Sequence, residues 1–181
     1  MKLMPSYNRL HGASKTKKMV FISLLIALAL VLSFFERFIP VPALPGVKLG
    51  LANAITLAAL YFLSFKETFA LVMLRIVMNA MFIGNFISFW YSLSGGLLSF
   101  LVMYVFVRFL KNSFSMVGIS VVGAFAHNIG QLIVVAIITE SIGVALSFFP
   151  VLAVSSLITG LIIGFTVAFL LPYINKNVIR E

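Results

Sequence analysis

Long apolar runs separated by short polar interruptions make up almost the whole chain. They fall near 19–38, 49–64, 67–83, 87–110, 116–139 and 147–174. Each is too long for a barrel strand, so the pattern predicts an all-α integral membrane protein with six transmembrane helices. The second run is short. The fourth contains "SLSGGLLS", which predicts either a break or a close helix contact there. Residues 1–18 read as a basic segment before the first span, 19–174 as a single six-helix membrane domain, and 175–181 as a short tail. Lys15, Lys17 and Lys18 abut the first run as in a secretory signal. The apolar stretch 19–35 is long for a signal core and further spans follow, so an uncleaved first helix is expected.

Composition sharpens the class. Hydrophobic residues make up 62% of the chain and charged ones 9%, with a mean hydropathy of +1.19. No soluble domain of this size needs so much apolar surface. Cysteine is absent, which excludes disulfides and thiolate metal sites; neither a metal nor a cofactor is expected. All four acidic residues are glutamates, Glu36, Glu67, Glu140 and Glu181, with no aspartate. No GxxxxGK[ST] phosphate loop occurs, so the chain is not expected to hydrolyse ATP by that route and any energy it uses is borrowed.

The net charge of +9 would suggest nucleic acid only if the basic residues clustered on one surface. They follow the spans instead. With both termini cytoplasmic, the inner ends hold Lys2, Arg9, Lys15, Lys17, Lys18, Lys66, Arg108, Lys111, Lys176 and Arg180, and the outer loops hold Arg37 and Lys48. Ten against two is a positive-inside distribution, so the surplus reports topology and not a nucleic-acid footprint.

The remaining cation, Arg75, lies inside the third run, one turn before Asn79 on the same helix face. Asn53 opens the second run. The fifth carries "GAFAHNIGQ" at 123–131, with His127, Asn128 and Gln131 near mid-membrane. Glu36, Arg37 and Lys48 cap the outer ends of the first two spans. By depth these polar groups converge on the outer half of the bundle. Ionisable groups in a bilayer are costly, face the interior and mark substrate or ion paths. A small-molecule pocket opening outward is the functional reading. The alternative is interhelical hydrogen bonding by Asn, Gln and His, worth about 0.6–2 kcal/mol apiece. Glu36 and Glu140 are the outer carboxylates available to Arg75; failing them, an anionic ligand is its natural partner. A proton relay through His127 is poorly supplied with intramembrane carboxylates.

The segment "PVPALPGVKLG" at 40–50 is a Pro- and Gly-punctuated outer loop, either a rigid connector or a rim that offers Lys48 to the ligand. Trp90 and Tyr91 read as stacking groups or as interface anchors. Small residues recur at four-residue spacing in Ser23/Ala27, in Ser88/Ser92/Gly96 and in Ser156/Gly160/Gly164, faces that let helices approach closely. The first of these pairs is a candidate for docking a partner's helix.

Three stretches, "PGVKLGLANAITLAALY", "SFWYSLSGGLLS" and "GAFAHNIGQ", resemble the Gx transporter family, also labelled heptaprenyl diphosphate synthase component I. That family is similar to the substrate-binding S components of energy-coupling factor (ECF) vitamin transporters. The resemblance implies a six-helix bundle in the bacterial plasma membrane that binds a vitamin-like ligand on its outer side. It also implies assembly with a T component and two cytoplasmic ATPase subunits. S components dock on the T component through an alanine-xxx-alanine pattern in the first helix; here the stretch runs from Ser23 to Ala27, a serine-for-alanine variant. The family's other label meets a chemical obstacle. Prenyl diphosphate synthases hold magnesium diphosphate through aspartates, and this chain has none, so catalysis is not expected. A non-catalytic membrane partner of isoprenoid or quinone synthesis is one alternative. A stand-alone secondary carrier is another, although no internal repeat is evident.

Overall fold

A computed structural model describes residues 14–36, 38–39, 48–82, 86–110, 113–174 and 176. Arg37, the 40–47 part of the Pro-rich loop, and Lys2, Arg9, Lys111 and Arg180 lie outside the described residues. The chain is all-helical, in the order α1 (Lys15–Glu36), α2 (Asn53–Phe62), α3 (Phe65–Phe82), α4 (Phe86–Phe109), α5 (Met116–Ile138) and α6 (Ile142–Ile174). Each apolar run corresponds to one helix. Four of them, α1, α4, α5 and α6, are long and apolar enough to cross a membrane. The third, α3, carries Lys66, Glu67 and Arg75.

The second helix departs most from the sequence expectation. It begins at Asn53, not near 49, and its 10 residues span only about 15 Å against a hydrocarbon core of roughly 30 Å. Gly50, at φ +84°, stops the helix from starting earlier, because that left-handed conformation suits only glycine readily. Short as it is, α2 is the hub of the bundle. It touches every other helix and buries all its residues except Ala54 and Ile55. The irregular chain at 48–52 that leads into it is half-buried, with Gly50 and Ala52 inside, and non-helical backbone is tolerated at membrane depth where it is buried in protein or lines a cavity.

Other boundaries have local causes. Ser64 and Glu67 form a reciprocal cap at the start of α3: the Ser64 N–H donates to Glu67 Oε2 at 2.8 Å, and the Glu67 N–H donates to Ser64 Oγ at 3.4 Å. The same glutamate accepts from Lys18 Nζ at 3.2 Å, tying α1 to α3 at the end of the bundle that holds the α2–α3 link. Ser115 caps α5 by accepting from the Gly118 N–H at 3.1 Å. The last helix starts at Ile142, earlier than the hydropathy near 147 suggests, and continues through Pro150 and Pro172.

Glycines bring α4, α5 and α6 together. "SLSGGLLS" does not break α4; it is a close contact. A Cβ at Gly130 would lie 2.7 Å from Gly95 Cα, and Ser94 Oγ donates to the Gly130 carbonyl at 2.7 Å. On the other side of α5, a Cβ at Gly160 would lie 2.6 Å from Val121 Cα. The Ser156/Gly160/Gly164 face is therefore spent within the bundle. Ser23 and Ala27, by contrast, are exposed on α1.

Candidate functional site

One end of the bundle gathers the C-terminus of α1, the start of α2, the later part of α3 and the first turns of α4. Between them lies a recess of about 310 Å³ that includes open solvent, of which about 20 Å³ is interior space that a water-sized molecule can occupy. It is lined by Ser33, Glu36, Lys48, Gly50, Ala52, Asn53, Arg75, Ile76, Asn79, Ser92 and His127. Six of the residues singled out from the sequence, Glu36, Lys48, Asn53, Arg75, Asn79 and His127, thus come together. Its formal charge is +1, from Lys48 and Arg75 against Glu36.

Arg75 is 6% exposed and reaches the cavity beside Gly96, where a Cβ would lie 3.3 Å from Nη2. The Ser88/Ser92/Gly96 face of α4 thus makes room for the guanidinium. Among the described residues no carboxylate comes within 4 Å of it; the ion pair present is Lys18–Glu67, at the other end. Glu36 lies within electrostatic reach of both Arg75 and Lys48. Its carboxylate is engaged by the backbone, however, accepting from the N–H of Gly50 and, at 3.4 Å, from that of Leu51. It secures the turn into α2.

His127 is wedged between two glycines. A Cβ at Gly50 would lie 2.9 Å from its Cδ2, and one at Gly95 would lie 2.7 Å from its Nδ1. Neither ring nitrogen makes a hydrogen bond of good geometry among the described residues, although the Gly95 backbone faces the imidazole; Asn53 Nδ2 and Oδ1 and Asn79 Oδ1 are buried and unpaired. Buried polar atoms are nearly always paired, because an unpaired one costs about 1–3 kcal/mol. These five atoms belong to residues that line the cavity, while further unpaired buried oxygens lie away from it on Thr56, Tyr61, Ser99 and Ser120.

Asn128 and Gln131 are placed differently. Neither lines the cavity, and both have their polar groups engaged. Asn128 Nδ2 donates to the Leu152 carbonyl at 2.9 Å and to Ser156 Oγ at 2.8 Å, bridging α5 to α6. Gln131 accepts from the Lys48 N–H at 2.7 Å and donates to the Lys48 carbonyl at 2.8 Å. Trp90 is 44% exposed, packed edge-on against Phe86 and Phe89. Tyr91 is buried in an apolar cluster with Leu132, Val134, Val135, Ala145 and Leu152. The structure therefore sets both aromatics apart from the cavity. Ser33 and Ser92 line it without having been singled out as contacts. Their signal was present: Ser33 precedes Glu36 by one turn, and Ser92 precedes Gly96 by one turn.

With this geometry in hand, known proteins give the family. The family model described as heptaprenyl diphosphate synthase component I matches residues 25–170. The chain belongs to that family. No curated protein matches it significantly. Among solved structures it is similar to the S component of a bacterial ECF transporter, at 21% identity and a TM-score of 0.56, over 92% of this chain and 100% of that one. That likeness establishes a shared fold for this member of the heptaprenyl diphosphate synthase component I family.

Proposed function

We propose that the chain is the solute-binding S component of an ECF-type transporter, taking up a small anionic solute through the cavity around Arg75. The observation that carries this reading is the set of buried, unpartnered polar atoms of Asn53, Asn79 and His127 edging a cavity with a net positive formal charge. The S-component fold supports it, since its solved counterpart is the S component of a bacterial ECF transporter. The family's enzymatic description is a label: no aspartate is present to hold a metal diphosphate. Among the described lining residues the only ring is the His127 imidazole, which favours a compact, hydrogen-bonding anion over a large aromatic one. On this reading the cavity mouth faces the extracellular side and both termini the cytoplasm, an orientation that the positive-inside distribution supports. Transport then draws on ATPases elsewhere in the complex, reached through a T component that docks on the exposed Ser23/Ala27 face of α1.

Equilibrating the purified protein with a metabolite extract of its host, isolating the protein by size exclusion and releasing bound compounds for mass spectrometry tests the binding step. One low-molecular-weight acid enriched at near one equivalent is the expected result. Enrichment of a neutral or cationic compound overturns the anion assignment, and enrichment of nothing overturns the binding reading.

A further inference from the structure

The polar groups of the sequence divide into two sets by a single criterion, whether their hydrogen-bonding capacity is met within the protein. Those of Asn53, Asn79 and His127 at the cavity are left open. Those of Asn128, Gln131 and Ser156 are joined into one chain. Ser156 Oγ donates to the Leu152 carbonyl at 2.7 Å and accepts from Asn128 Nδ2; Asn128 Oδ1 accepts from Gln131 Nε2 at 2.9 Å; Gln131 grips both main-chain groups of Lys48. The carboxamide orientation is dictated by these contacts. Turning it over would set Nε2 against the Lys48 N–H and Oε1 against two acceptor oxygens. Gln131 is fully buried, and Asn128 nearly so. Fully satisfied buried networks of this kind are rigid and fix one geometry.

The network ends at the residue whose ammonium reaches the cavity rim, where Lys48 Nζ donates to Ser92 Oγ at 2.8 Å. Side-chain amides that pair with both the N–H and the C=O of one residue act like a neighbouring strand, holding a non-helical segment in register. Glu36 holds the same segment two residues on, at Gly50 and Leu51.

We propose that Gln131 is a positioning residue: through Asn128 and α6 it locks the main chain of Lys48, and so sets where the cavity's second cation stands. This rests on the solute-site reading for its purpose, but the lock itself is testable without a solute. The segment 48–52 is then not an independent loop. Its position follows the register of α6 against α5, and a shift of α6 at Leu152–Ser156 would be felt at the cavity mouth.

The natural absence of cysteine allows a clean test. Lys48→Cys keeps the main-chain groups that Gln131 grips and adds a thiol whose alkylation by a bulky, charged maleimide reports exposure of position 48. In purified protein, adding Gln131→Met should speed that reaction about five- to tenfold, because both hydrogen bonds that hold the Lys48 main chain are lost. A thiol placed by Ser113→Cys, at the other end of the bundle, should react at the same rate with either residue at 131. Equal rates at position 48 overturn the proposal; equal acceleration at both positions assigns Gln131 to general stability and overturns it too. Should Gln131→Met fail to fold, amide hydrogen exchange of the unaltered chain decides: the Lys48 N–H should exchange at least about tenfold more slowly than an unstructured amide, and exchange at the free rate refutes the lock.

Discussion

Arg75 concentrates the chemistry of the site at the level of single residues. A guanidinium buried in a membrane protein is costly unless it is paired, and removing the partner of a buried charge is strongly destabilising. Here Gly96 admits the side chain, while Glu36 is committed to the backbone at Gly50 and Leu51. On the proposed reading an incoming anion meets a positioned, desolvated fork. Arg75→Ala should weaken solute binding about 10- to 100-fold, the scale of a hydrogen bond to a charged group, without lowering the thermal midpoint of the empty protein. Arg75→Lys should fall between, keeping the charge but losing the planar fork. Calorimetric titration of the solute recovered from the host extract is the check. Unchanged affinity in Arg75→Ala would move the site elsewhere.

At the scale of elements, α4, α5 and α6 are held by backbone-to-backbone approach at glycines, and α5 is the central member of the three. Gly130→Ala adds a methyl 2.7 Å from Gly95 Cα and Ser94 O, where backbone must yield, so it should cost about 1–3 kcal/mol in thermal or denaturant unfolding in detergent. Gly143→Ala, whose Cβ would meet only Ser141 Oγ at 3.7 Å, should be neutral or slightly stabilising. The reverse order would mean that the α4–α5 crossing is looser than described. The existence of six helices was legible because each apolar run forms one, although only four of them are long and apolar enough to cross a membrane. Which face of each helix points inward was not. These helices are apolar all round, so periodicity cannot separate lipid from core. That is why Tyr91, turned into an apolar cluster, and Trp90, on the outside, could not be told from cavity residues. The same limit hid the difference between His127 and its neighbours Asn128 and Gln131, which depends on what α6 and the 48–52 segment bring alongside. The brevity of α2 was hidden as well, since Gly50 interrupts an otherwise continuous apolar run and only its φ reveals the stop.

For the molecule as a whole, a cavity at one end of the bundle and an exposed small-residue face on α1 sit in a fold shared with an ECF transporter S component. Close helix docking needs small side chains at the contact, and Ser23 and Ala27 are both exposed. Ala27→Trp, placed on the outer face of α1 and away from the cavity, should leave solute affinity intact while abolishing uptake. The measurement that tests the central claim most directly is affinity purification of the tagged chain from its host's membranes in mild detergent, with partners identified by mass spectrometry. The account predicts co-purification of a T-type membrane protein and two ATPases from the wild-type chain, and their loss from Ala27→Trp. Recovery of a soluble prenyl synthase in their place, or of no ATPase at all, would contradict it.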